Sequence, residues 1–276
     1  YNNNAVLATL TTDGAHAPSH PAWSHDGTRV ALANRLDGNG LDFSQSTLWL
    51  SNVTTSPPQF ADTKQIVANS AERPTVTFPS FSPDSKWITF MRATMARTQS
   101  ALGELWLTDG NGTEISLDAL NGSTYLPGTD GHRSFEPSFL PLASGGYFWV
   151  VFSTTRAYGN RTTTGNRLQL WVAAIDQNPQ PGQDPSHPAI WLPGQNLESL
   201  NMRGQWARAV CKTQGASCEA GYDCCDGFCL ENSDGQPVCS PKPPGCSPTG
   251  NACQSQSDCC TPGDLCINGF CAQNKP

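Results

Sequence analysis

Five histidines, His16, His20, His25, His132 and His187, are the side chains of this chain best suited to metal ligation or proton transfer near neutral pH. His20 precedes Pro21 as Glu136 precedes Pro137, and His16 stands 116 residues before His132. An imidazole and a carboxylate brought to one place could hold a metal ion or move a proton. Two further stretches, Asp37-Gly38-Asn39-Gly40-Leu41-Asp42 and Asp109-Gly110-Asn111-Gly112-Thr113-Glu114, alternate oxygen ligands in the manner of a calcium loop. Leu48 and Leu120 occupy the position where such a loop needs an acid. Asp37, Asn39, Asp109 and Asn111 therefore read as hairpin turns rather than metal ligands, because Asp-Gly and Asn-Gly are the usual turn pairs. No Gly-x-Ser-x-Gly elbow, His-Glu-x-x-His or Walker loop is present. No catalytic residue, metal or cofactor is expected.

What must position these groups is a repeat. His20-Pro21-Ala22-Trp23-Ser24-His25-Asp26-Gly27 returns as Phe78-Pro79-Ser80-Phe81-Ser82-Pro83-Asp84-Ser85, and again as Glu136-Pro137-Ser138-Phe139-Leu140-Pro141. Prolines 21, 79 and 137 are each separated by 58 residues, the mark of a repeat architecture. Each copy continues with an alternating strand such as Arg29–Asn34. Then come Leu48-Trp49-Leu50, Leu105-Trp106-Leu107 or Leu170-Trp171-Val172, and a last short strand. Four short strands per repeat describe the blade of a β-propeller. The tryptophans of the Leu-Trp-Leu strands are expected in the core.

The bulk composition agrees. The 276 residues hold 25 Gly and 22 Pro but only 14% charged residues, which favours an all-β chain rich in turns. A net charge of −7 argues against a nucleic-acid partner, and no apolar run is long enough to span a membrane as a helix. The start at Tyr1 is read as a processed or truncated end. Four Asn-x-Ser/Thr sequons begin at Asn52, Asn111, Asn121 and Asn160.

Pro-x-Trp-Ser-x-Asp-Gly, the Val-Ala strand, Leu-Trp-Leu and Asp-Gly-Asn-Gly together resemble the TolB-type, WD-like propeller repeat over about residues 13 to 206. The third copy departs from it, with Leu140 and Leu142 where the turn has Ser and Asp, which puts its first hairpin in question. The resemblance implies blades starting near residues 19, 77 and 135, with incomplete blades at both ends. Ala5–Leu10 resembles an outermost strand, and Asn201–Trp206 the innermost strand of a following blade, with Trp206 matching Phe139, Phe81 and Trp23. Aligned this way, His20, Phe78, Glu136 and Arg203 fall at one rim of the propeller channel. They are candidates for binding there, or for a metal or substrate site as in some propeller lyases, with plain rim polarity the simpler reading. Propellers commonly close with about four to eight blades. A second copy, or the remainder of a cleaved precursor, is therefore expected to complete this one.

All twelve cysteines lie between Cys211 and Cys271, which implies an oxidising, extracytoplasmic location: secreted, cell-surface or periplasmic. Cys211, Cys218, Cys224, Cys225, Cys229 and Cys239 repeat the opening spacing of Cys246, Cys253, Cys259, Cys260, Cys266 and Cys271. Two modules, 211–239 and 246–276, are joined by the proline-rich 240–245. Six cysteines allow 15 pairings, although adjacent cysteines rarely bridge each other. Zinc would want Cys-x2-Cys pairs, which are missing. A hevein-like sugar site would want an aromatic platform, for which module two offers only Phe270 and module one Tyr222 and Phe228. The spacing resembles knottin (inhibitor cystine knot) domains. That resemblance implies Cys211–Cys225, Cys218–Cys229 and Cys224–Cys239, then Cys246–Cys260, Cys253–Cys266 and Cys259–Cys271. Both modules are acidic, unlike the cationic knottins that act on membranes.

The sequence thus predicts an all-β chain: a partial propeller of about three four-stranded blades, then two small disulfide-rich modules. The function it favours is a non-enzymatic secreted or cell-surface binding and assembly protein. The alternatives are a propeller enzyme (a metal-dependent glycan lyase, or the propeller gate of a hydrolase) and a knottin-type protease inhibitor, for which Lys212 is the one basic side chain of module one.

Overall fold

The computed structural model describes residues 6, 8–97, 100–159, 167–207, 211–261, 264–267 and 269–273. The chain forms two compact units, Tyr1–Trp206 and Ala207–Pro276.

The first unit is three antiparallel sheets of four strands, each a simple meander in chain order. Blade one is β1 (Ala17–Trp23), β2 (Arg29–Arg35), β3 (Ser46–Thr55) and β4 (Pro58–Val67). Blade two is β5 (Thr75–Phe81), β6 (Ile88–Ala93), β7 (Gly103–Thr108) and β8 (Glu114–Ser116), followed by one helical turn, α1 (Asp118–Asn121). Blade three is β9 (Ser134–Phe139), β10 (Tyr147–Thr154), β11 (Gln169–Asp176) and β12 (Ile190–Trp191). This is a partial β-propeller.

The repeat motif supplies the hairpin between the first two strands of blades one and two. Asp26 Oδ1 accepts from the Ser24 hydroxyl (2.6 Å) and the Thr28 amide (2.9 Å), and Ser24 Oγ accepts from the Arg29 amide (2.9 Å). Ser82 and Asp84 repeat the arrangement, with 2.5 Å between Oγ and Oδ1 and the Trp87 amide donating to Ser82 Oγ. Blade three, which lacks both side chains, closes differently. Its strands run on to a Ser144–Tyr147 turn whose central Gly145 (φ 63) and Gly146 (φ 87) take the positive φ that a two-residue hairpin needs. The sequence departure moves the turn and leaves the blade intact.

The core lies between blades. Leu48, Leu50 and Val67 of blade one pack with Val76, Phe81, Ile88 and Phe90 of blade two. Leu105, Leu107 and Ile115 of blade two pack with Phe135, Phe139, Phe148, Val150 and Phe152 of blade three. Each such side chain contributes about 1.5–3 kcal/mol by leaving water. Arg156, wholly buried, stitches the second pair of blades: it donates to Leu120 O (3.1 Å) and Ser134 Oγ (2.9 Å) and lies over the rings of Phe152 and Trp171. Trp171 is buried as expected, whereas Trp49 and Trp106 are only partly covered.

Phe81 and Phe139 hold the same repeat position and each packs against the preceding blade, at 2% and 4% exposure. Trp23, their equivalent in blade one, is 54% exposed.

The two fragments expected at the ends of the arc differ from the strands they resemble. Val6 and Ala8–Leu10 are in no strand, and Ala5 and Leu7 lie outside the described residues. Each of the three sheets already carries its own outermost strand, so none has that place to offer. Residues 201–206 also form no strand, yet they lie along blade three. The Arg203 amide donates to Ser153 Oγ (3.0 Å), Trp206 Nε1 to Ser138 O (2.9 Å), and the Asn201 amide to Leu168 O (3.0 Å). Gly204 comes so close that a Cβ there would stand 2.7 Å from Val151 Cγ2. Among the described residues no strand follows that pairs with this segment, and the chain passes to the cystine unit.

The second unit is held by six disulfides: Cys211–Cys225, Cys218–Cys229, Cys224–Cys239, Cys246–Cys260, Cys253–Cys266 and Cys259–Cys271. In each half the first cysteine meets the fourth, the second the fifth and the third the sixth, so the adjacent cysteines bond to different partners. Two short hairpins, β13 (Cys229–Glu231) with β14 (Pro237–Cys239) and β15 (Asp264–Ile267) with β16 (Phe270–Gln273), complete the halves. The halves also bond to each other. The Gly221 amide donates to Gly250 O (3.1 Å), Ala252 to Gly227 O (3.0 Å), and Cys229 to Asn251 Oδ1 (2.7 Å). Gly221 is required at that contact, because a Cβ would sit 2.6 Å from Gly250 O. The proline-rich linker thus joins two modules that share an interface.

Candidate functional site

The inner strands of a propeller border its axis, and here each breaks register at one residue. The ladder of β1 slips between Ser19 and Ala22, and that of β5 between Thr77 and Ser80. On β9 the slip falls between Phe135 and Ser138. Within these bulges His20 (φ 44), Phe78 (φ 51) and Glu136 (φ 50) take the left-handed conformation, and Arg203 (φ 53) does so in the fourth segment. Such backbone is uncommon for side chains of this size, and it gathers at functional sites. A following Pro21, Pro79 or Pro137 cannot donate to the ladder, which makes the slip inexpensive.

These four residues line one cavity of about 160 Å³, together with Ser80, Ser138 and Gln205. The His20 ring stacks on Phe78 with centroids 4.0 Å apart, and the Arg203 guanidinium lies over the same Phe78 ring at 5.9 Å. His20 Nδ1 is 2.6 Å from Thr77 Oγ1, while its Nε2 is buried without a hydrogen-bond partner. Glu136 Oε1 is 3.7 Å from Arg97 Nε, and its Oε2 is likewise buried without a partner. Burial pushes the His20 imidazole down to about 4 from its ordinary 6.5, helped by the charges of Arg203, Arg97 and Arg35 and opposed by Asp42. Burial also holds the Glu136 carboxyl above its ordinary range, against the pull of Arg97 and Arg203. His20 is therefore neutral at physiological pH, in a field dominated by guanidiniums.

The other residues singled out in the sequence are not brought to this cavity. Asp37 folds back on its own loop, accepting from the amides of Ser44 (2.9 Å) and Gln45 (2.8 Å). Asn39 bridges to Asp42. Asp109 Oδ1 accepts from the amides of Asn111 (2.8 Å) and Thr113 (3.1 Å), which closes the β7–β8 hairpin. These carboxylates organise turns. His16 pairs with Asp13 (2.6 Å), His132 with Glu104 (2.5 Å) and His187 with Asp176 (2.9 Å), each in a different place, and His25 is exposed. Among the described residues, the clusters of three or more metal-type ligand atoms are Cys218, Cys224 and Cys239, and Cys253, Cys259 and Cys271. All six sulfurs are committed to disulfides. Of the sequons, Asn52 and Asn111 are exposed and Asn160 lies outside the described residues. Asn121 is buried, its side-chain amide bonded to both backbone groups of Leu105 at 2.9 and 3.0 Å.

The sequence did not point to Arg35 or Arg97, and it showed Asp42 only as part of a turn. Arg97 and Asp42 come from loops outside the repeat motif. Arg35 closes β2, where the next copy has Ala93 at the 58-residue offset, so the repeat carried no mark of it.

No protein-family profile matches the chain, and no curated protein matches it. Solved structures similar to part of it include a putative TolB from Agrobacterium tumefaciens, at 18% identity over 60% of this chain and 46% of that one, with a TM-score of 0.38. TolB from Acinetobacter baumannii is similar at 14% identity over 57% and 29%, with a TM-score of 0.34. An endo-1,4-beta-xylanase from Bacteroides thetaiotaomicron is similar at 11% identity over 64% and 59%, with a TM-score of 0.38. This chain spans less than two thirds of each of these structures.

Proposed function

We propose that this chain is a non-enzymatic, extracytoplasmic binding and assembly protein whose blade arc is completed by further blades from a partner. Trp23 carries the reading. Its equivalents Phe81 and Phe139 are buried because a blade stands before them, whereas Trp23 presents 54% of its surface to solvent. An exposed aromatic at a position built for inter-blade packing is what an unoccupied interface leaves behind. Residues 201–206 support the same reading at the other side of the arc, where one unpaired segment occupies the fourth position. The partner is a second copy of the chain or the remainder of a longer precursor, and its mass tells the two apart.

Six disulfides fit an oxidising compartment, and no helix among the described residues is long and apolar enough to cross a membrane. We read the C-terminal halves as knottin-like scaffolds on the strength of their pairing order, with the bridges standing in for a core too small to suffice. The test is the native mass of non-reduced material. A stable complex with a blade-containing chain is expected. A monodisperse monomer with no bound fragment, in material taken from its natural source, would overturn the proposal.

A further inference from the structure

We propose that Asn111 is a site of spontaneous, backbone-assisted conversion to aspartate and isoaspartate, and that a glycan on the same side chain blocks it. The reaction favours an asparagine followed by glycine, because glycine has no side chain to shield its amide nitrogen. That nitrogen attacks the asparagine Cγ and closes a succinimide ring, its proton passes to the side-chain nitrogen, and ammonia leaves. Water then opens the ring at either carbonyl, giving an α-linked aspartate or a β-linked isoaspartate. No oxidant, metal or cofactor is consumed.

The Asn-Gly pairs of the chain are Asn39-Gly40, Asn111-Gly112, Asn121-Gly122 and Asn268-Gly269, and Asn268 lies outside the described residues. The other three differ in what holds the peptide plane that must turn for the attack. The Asn121 side chain is wholly buried and bonded to both backbone groups of Leu105 (2.9 and 3.0 Å), and the Gly122 amide is committed to Asp118 O (2.8 Å). Asn39 is exposed, but its backbone carbonyl accepts from the Asp42 amide (2.8 Å) and its backbone amide donates to Asp42 O (2.9 Å), which pins the Asn39-Gly40 plane. Giving up one such bond to reach the attacking geometry slows a reaction about fivefold. At the third pair both residues are exposed, and among the described residues neither the Asn111 carbonyl nor the Gly112 amide has a hydrogen bond. The Asn111 side-chain amide reaches only Asp109 O, at 3.3 Å, longer than a normal N–H···O bond. Asp109 holds the turn on either side, through the amides of Asn111 (2.8 Å) and Thr113 (3.1 Å), and leaves the plane between them free to turn. No atom stands within 4 Å of where a Gly112 Cβ would be, so the side chain can swing onto the Gly112 nitrogen unhindered. Asn111-Gly112-Thr113 is also an exposed sequon. A sugar on Nδ2 occupies the nitrogen that must leave, so glycan and conversion exclude one another on any one molecule. Without the glycan, conversion adds a negative charge beside Asp109 in the β7–β8 hairpin, and the β-linked product lengthens the turn that Asp109 spans.

In the experiment, the full, non-reduced chain from a host that adds no glycans is incubated warm at mildly alkaline pH. Samples are taken over time for peptide mapping that resolves Asn, Asp and isoAsp. Asn111 is expected to convert to a mixture of α- and β-linked products at least about fivefold faster than Asn39, with Asn121 unchanged. The same chain, reduced and unfolded in urea, should convert at all three positions at similar rates, which assigns the ranking to the fold. In material from a glycosylating host, intact glycopeptides at Asn111 should keep their amount while the unoccupied fraction converts. An unchanged Asn111 in the folded chain while the unfolded chain converts, or a rate no faster than that of Asn39, would overturn the proposal. So would an α-linked product alone, which marks direct hydrolysis of the side chain, or conversion of the glycan-bearing fraction alongside the bare one.

Discussion

His20 makes the folded state sensitive to acid in a calculable way. In the unfolded chain its imidazole takes up a proton near pH 6.5, and in the folded chain only near 4. Between those values the unfolded state binds more protons, so the stabilisation from His20 is whole above about pH 6.5 and drains away as the pH falls toward 4. Each tenfold change in proton affinity is worth about 1.4 kcal/mol, so the window carries about 3 kcal/mol at full strength. Arg97 and Arg203 are partly open to water, and screening brings the expectation to about 2 kcal/mol. Glu136 works the other way. Its raised pKa means the folded chain takes up that proton first, so the group adds stability as the pH drops through its folded value. The comparison must therefore be made within a variant pair. His20→Asn is suitable because Asn tolerates the left-handed backbone at this position. All eight tryptophans precede residue 207, so their fluorescence reports the blades alone. Between about pH 7 and 4.5 the wild type should lose about 4–8 °C of Tm more than His20→Asn. Equal losses in the two proteins would refute the assignment of a buried, neutral His20.

Further outcomes follow from the turns, the buried amide and the cystines. Asp26→Ala removes the acceptor of three turn hydrogen bonds and should cost about 1–2 kcal/mol in urea unfolding, whereas Leu142→Ala, at an exposed residue of the third hairpin, should cost less than about 0.5 kcal/mol. Asn121→Ala leaves both backbone groups of Leu105 unpaired and should cost about 2–4 kcal/mol. Expressed in a glycosylating host, the protein should carry glycans at Asn52 and Asn111 and none at Asn121, as read by peptide mass mapping. Replacing Cys224 and Cys239 together by Ser opens a loop with a sequence separation of 15 and should cost the cystine unit about 3 kcal/mol, seen as faster proteolysis between residues 211 and 239.

Much of the blade architecture is legible because it is written three times. The 58-residue spacing, the Ser-x-Asp turn and the Leu-Trp-Leu strands are local features, and each copy vouches for the others. The same alignment brings His20, Phe78 and Glu136 to equivalent places, since a residue before a repeated proline occupies the same bulge in every blade, and Arg203, which precedes Gly204, shares their left-handed backbone. Burial, however, depends on what stands beside a blade, and the repeat is blind to that. Trp23 and Phe81 look equivalent in sequence and differ from exposed to buried. Arg156 gives no sign in the sequence of lying wholly inside, because its environment comes from α1, β9 and β11 at once. The fragments at either side of the arc look like strands in composition but lack the neighbour that would make them so. For the same reason the contact between Gly221 and Gly250 could not be read from cysteine spacing.

The central claim, that the arc is closed by blades from a partner, is tested most directly at Trp23. Hydroxyl-radical footprinting with mass-spectrometric readout should be run on the isolated chain and on the non-reduced native assembly. The account predicts that Trp23 is oxidised readily in the isolated chain and is several-fold protected in the assembly, while exposed Tyr222 of the cystine unit serves as the internal reference. Equal oxidation of Trp23 in both samples would contradict it.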